Sequence, residues 1–164
     1  MAARPEDAAV SASTADLLFS AWNGTLAARR RLADGAPAET ARRAYRVMLR
    51  ATQALLWVRH RRRFRVPAAV HAAFWEHFAR PDAGRVDPEL HRWLLEAYAL
   101  CGRDGTVPAP RVPPEAAALA LERAQGFLEA VHRHLGRRPL TPPAAAGGVS
   151  GGAPAPVRPS APRR

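Results

Sequence analysis

The chain has 164 residues, the size of one ordinary domain, with 25 Arg, no Lys and 14 acidic residues, for a formal net charge of +11. Its single cysteine, Cys101, excludes an internal disulfide framework and a multi-cysteine zinc site. No apolar run reaches the roughly 18 residues that span a bilayer.

Residues 1–12 are Ala-rich and polar, and Glu6 and Asp7 stand where a signal peptide would place its apolar stretch. They read as a disordered N-terminus, and the chain as soluble and cytoplasmic. A first helix is expected from about Thr14 to Ala33, opened by a capping-box-like Ser13 and Asp16. Leu18, Trp22 and Leu26 recur at one helical face and are its expected inner stripe. Gly35 and Pro37 mark the turn that follows.

The second helix is expected from about Ala38 to His60, buried along Ala44, Tyr45, Met48, Thr52, Leu55 and Leu56. The third covers about Pro67 to Ala79, with Pro67 in the first turn and Val70, Phe74 and Phe78 facing inward. The fourth opens at Asp87-Pro88-Glu89, an N-cap acid followed by an N1 proline, and buries Leu90, Trp93, Leu94, Ala97, Tyr98 and Cys101. The fifth opens at Pro113-Pro114-Glu115, ends near Leu135-Gly136, and has an apolar row of Ala117, Leu121, Ala124, Leu128 and Val131. Trp22, Trp57, Trp75 and Trp93 fall one per helix, as core packing residues would, and not as a platform for stacking bases. From Pro139 to Arg164, 17 of 26 residues are Pro, Ala or Gly, so residues 137–164 read as a disordered tail. The expected class is all-α: an up-and-down bundle of about five helices over residues 13–136.

Charge is unevenly placed. Arg29 to Arg65 hold 12 Arg against Asp34 and Glu39, the footprint of a polyanion binder; the competing reading is a solvated arginine face. Arg43, Arg46 and Arg50 fall at i, i+3 and i+7 and form a row on the second helix. Arg59, Arg61, Arg62, Arg63 and Arg65 crowd its exit loop, where long cationic side chains reach phosphates. His71 sits between apolar neighbours and reads as a partly buried histidine. The six histidines show no metal-ligand spacing, so neither a metal nor another cofactor is expected. Cys101, on an apolar stripe, reads as core.

Several segments together resemble the HEPN family (higher eukaryotes and prokaryotes nucleotide-binding), closest to the bacterial branch encoded beside a minimal nucleotidyltransferase. They are the second-helix run Ala44-Tyr45-Arg46-Val47-Met48-Leu49-Arg50-Ala51-Thr52-Gln53-Ala54-Leu55-Leu56, His71 seven residues before Phe78, the segment Asp87 to Leu100, and Pro113 to Leu135 with Phe127 and Leu128. The resemblance covers about Asp16 to Leu135. It implies a homodimer, binding of RNA or nucleotide, and a nucleotidyltransferase partner in a toxin–antitoxin-like pair. Catalytic members carry Arg-x4-6-His near the end of helix four; the closest branch has Arg-x-x-Ala-Asp-Tyr there. Here Asp104 stands for the Asp, but Leu100 occupies the place of the Arg and Gly105 that of the Tyr. Arg103 is the candidate substitute for the missing Arg, and His71 a candidate proton carrier. Arg65 with His71 and Arg85 with His91 match the spacing elsewhere in the chain, but composition alone produces about 2.7 such matches. A non-catalytic binding module is therefore expected, the alternative being an active, metal-independent endoribonuclease toxin with a rearranged site.

Overall fold

In the computed structural model the described residues are 5–83, 85–102 and 111–136, with side chains from residue 12 onward. Within them the chain is five α-helices and no strand: α1 (Pro5–Ala33), α2 (Pro37–His60), α3 (Pro67–Phe74), α4 (Pro88–Leu100) and α5 (Pro114–His134). The fold is an up-and-down helical bundle. Arg103, Asp104 and the 137–164 segment lie outside the described residues.

Most boundaries follow local chemistry. Proline stands at the first turn of α2, α3, α4 and α5, where its missing N–H costs nothing. The Asp87 carboxylate caps α4 by accepting from the Glu89 N–H at 2.8 Å. Gly35, between α1 and α2, has φ +69°, backbone that a side chain would strain. The start of α1 differs from expectation. Residues 5–12, expected outside the domain, belong to α1, so Ser13 lies inside a helix and caps nothing. Alanine-rich sequence has the highest intrinsic helix propensity, and it carries the helix past a polar stretch that lacks periodicity.

α2 is the central element and packs on α1, α3, α4 and α5. Its expected stripe is buried throughout, with Ala41, Val47, Ala51 and Ala54 buried as well. Val70, Phe74 and Phe78 are buried, and so is the expected row of α5. α1 does not bury the expected residues. Leu18 is in the core, but Trp22 and Leu26 are 44% and 42% exposed. The buried stripe is Thr14, Leu18, Ala21, Thr25 and Ala28, mostly small side chains that let α1 approach α2 closely. A Cβ built on Gly24 would stand 2.7 Å from Val47 Cγ2. Nor do the tryptophans form the core: all four are exposed or half-buried. An α-helix face wide enough for an indole leaves no room for the tight α1–α2 contact, so the core is built from Ala, Leu, Val, Met and Phe.

The third helix is regular only to Phe74. Trp75–Ala79 continue as one π-helical turn, closed by Arg80 N–H to the Trp75 carbonyl at 3.0 Å. The π turn carries His77 against His60 at the end of α2, with ring centroids 4.2 Å apart.

Candidate nucleic-acid interface

The exit loop of α2 is an ordered display of cations. α2 ends because Arg61 takes the left-handed conformation, φ 55°, and returns its N–H to the Trp57 carbonyl at 2.9 Å. Residues 62–65 form no regular structure, Val66 is extended, and Gln53 Nε2 donates to the Phe64 carbonyl at 3.2 Å, tying the loop to α2. Arg62 lies over the Phe64 ring and Arg63 over Trp57, each at 5.4 Å from the ring centroid. Arg59, Arg61, Arg62, Arg63 and Arg65 are all exposed. No described carboxylate forms an ion pair with Arg59, Arg62, Arg63 or Arg65.

The arginine row of α2 is less available than its spacing implies. Arg43 is half-buried and pairs with Glu39 at 3.0 Å, and the same carboxylate holds Arg42 at 3.4 Å. Arg50 is exposed but donates to the Ser20 hydroxyl and, at 3.4 Å, to the Ser20 carbonyl of α1. Arg46 is exposed and makes no ion pair among the described residues; its charge, with that of Arg42, acts on the Cys101 thiol. Two of the three cations of the row are thus held by neighbours, whereas Arg59, Arg62, Arg63 and Arg65 make no ion pair with a described carboxylate.

His71 belongs to a buried polar cluster that no spacing in the sequence announces. Its Nε2 and the Tyr45 hydroxyl share a hydrogen bond of 3.2 Å, and the Tyr98 ring packs on both residues at centroid distances of 5.1 Å from His71 and 5.3 Å from Tyr45. Burial, then the nearby His91, lowers the His71 pKa, so the imidazole is neutral at pH 7. Burial raises the Tyr45 pKa well above the usual phenol range. Burial also pushes the Cys101 thiol up to about 11, against the opposing pull of Arg42 and Arg46, which keeps it protonated and unreactive. Of the Arg65/His71 spacing match, the His71 ring is buried against Tyr45 and Arg65 is exposed on the loop. His91 is half-buried beside Trp75 and Phe74, and Arg85 is exposed on the preceding loop.

Among the described residues no three His, Cys, Asp or Glu side chains converge as metal ligands, and no helix is long and apolar enough to cross a membrane. No family model and no curated protein matches the chain.

Proposed function

We propose that the chain is a HEPN-like binding module of the cytoplasm that holds RNA or nucleotide through the α2 exit loop and does not cleave it. The observation that carries this reading is the display of five exposed arginines between residues 59 and 65, fixed by the Gln53–Phe64 hydrogen bond and by stacking on Trp57 and Phe64. Binding phosphate needs only cations held at the surface. Cutting RNA also needs an acid–base pair beside the 2′-hydroxyl, and the candidate proton carrier, His71, is buried. The five-helix order and the Tyr45–His71 link between α2 and α3 support the resemblance to the family, and with it a minimal nucleotidyltransferase as partner in a toxin–antitoxin-like pair.

Homodimerisation belongs to the same reading. Trp75 and Leu95 are 40% and 41% exposed, and His91, one turn before Leu95, packs on Trp75 at a centroid distance of 5.0 Å. They make an apolar patch across α3 and α4 that a second copy would cover.

The test is RNA affinity as a function of salt. The protein should bind a short RNA with log affinity falling linearly with log salt. Arg59→Glu with Arg62→Glu should weaken binding at least about tenfold and flatten the slope by about two phosphate contacts. Binding insensitive to both salt and these changes would overturn the assignment. Multiple-turnover cleavage of RNA that is abolished by Arg103→Ala would replace it with the nuclease reading.

A further inference from the structure

Beside the arginine loop lies a groove of about 360 Å³ lined by Leu17 of α1, Gln53 and Trp57 of α2, and Arg63, Phe64 and Arg65 of the loop. Its size falls within the range of small-ligand sites, which begins at about 300 Å³. Its chemistry is divided. Leu17, the Trp57 indole and the Phe64 ring form an apolar and aromatic wall, while Arg63 and Arg65 place two guanidinium groups on the same opening. The wall also carries polar groups. Gln53 donates an amide N–H to the Phe64 carbonyl and adds an amide oxygen, an acceptor, to the lining. The Trp57 indole N–H is buried without an acceptor among the described residues, an arrangement a ligand acceptor would relieve.

We propose that this groove binds one nucleoside phosphate, either free or as an unpaired nucleotide of single-stranded RNA, with the base against Trp57 and Phe64 and the phosphate on Arg63 and Arg65. The inference rests on the reading of the loop as a phosphate-binding surface and adds a base site to it. An aromatic wall beside paired cations fits a planar base joined to an anion better than it fits a bare phosphate, which would leave the wall unfilled. The Gln53 amide oxygen can accept from a base amino group, and every base offers a π face to the indole. A duplex, whose bases are stacked on one another, can use the cations but not the wall.

The test measures affinity for a single-stranded ten-nucleotide RNA and for a blunt duplex of the same length at one salt concentration. Wild-type protein should prefer the single strand. Trp57→Leu, which keeps apolar volume and removes the π face, should weaken single-strand binding at least about fivefold more than duplex binding. Phe64→Leu, which removes the second ring of the wall and keeps an apolar side chain against His60 at the end of α2, should act in the same direction. Equal losses on both RNAs, or no loss from either change, overturns the base site while leaving the basic surface in place. If neither RNA binds, the loop assignment fails; the groove then stands only if AMP or UMP quenches tryptophan fluorescence in wild type and not in Trp57→Leu, and falls if neither does.

Discussion

The Tyr45–His71 pair shows how a buried polar contact ties stability to pH. His60, His71 and His91 all have lowered pKa values, each chiefly through burial. The unfolded chain, with imidazoles at the ordinary 6.5, therefore binds protons that the folded chain resists. The stability these groups support is present above that value and lost as pH falls through their lower folded-state values. Urea midpoints should accordingly drop between pH 7 and pH 5, and His71→Gln should make the profile shallower. His71→Ala leaves the Tyr45 hydroxyl buried without its partner and should cost about 1–3 kcal/mol at pH 7, read by thermal or urea unfolding. Cys101 gives a second residue-scale check. With its pKa near 11 the thiol should react with iodoacetamide at pH 7.5 far more slowly than free cysteine, and the rate should recover on unfolding in urea.

At the scale of elements, two helical glycines predict opposite outcomes for one substitution. Gly-to-Ala inside a helix ordinarily gains about 1 kcal/mol. On α5, a Cβ at Gly126 would meet Trp93 at 3.5 Å, an ordinary contact, so Gly126→Ala should stabilise by about 0.5–1 kcal/mol. On α1, a Cβ at Gly24 would press on Val47 Cγ2 at 2.7 Å, and Val47 is a buried β-branched side chain with few rotamers. The overpacking outweighs the propensity gain, and Gly24→Ala should lose about 1 kcal/mol net. Paired urea titrations of the two variants test the close α1–α2 approach directly. The α4 cap is simpler: Asp87→Ala removes the carboxylate bonded to the Glu89 N–H and should cost about 1 kcal/mol.

For the whole molecule, the decisive feature is how charge and apolar surface are partitioned. Glu39, Glu89 and Glu96 hold arginines of α2, α4 and α5 in surface ion pairs, while Arg59, Arg62, Arg63 and Arg65 at the α2 exit form none with a described carboxylate. The exposed apolar residues Trp75 and Leu95 lie on α3's π extension and on α4, and neither lines the groove that Leu17 of α1 helps form. If the α3–α4 patch is the dimer face, Trp75→Arg with Leu95→Arg should give a monomer in equilibrium sedimentation and leave RNA affinity per chain within about twofold. A wild-type protein that sediments only as a monomer at micromolar concentration would remove the homodimer from the functional reading.

Sequence by itself determined the helical class, the positions of α2 to α5 and the buried faces of α2, α3 and α5, because those helices carry a 3.6-residue apolar period and open at prolines. It also located the arginine loop, since the charge is local along the chain. It misplaced the start and inner face of α1, where alanine fits equally well inside or outside and the large residues Trp22 and Leu26 yielded the interface to Ala21, Thr25 and Ala28. Only the tertiary structure decided which arginines are engaged, because Ser20 meets Arg50 across two helices. It alone brought Tyr45, His71 and Tyr98 together from three helices, and Leu17, Trp57 and Phe64 around one groove. Periodicity reports which face of a helix is apolar; which neighbour that face meets depends on how closely the helices approach, and here small side chains set that distance.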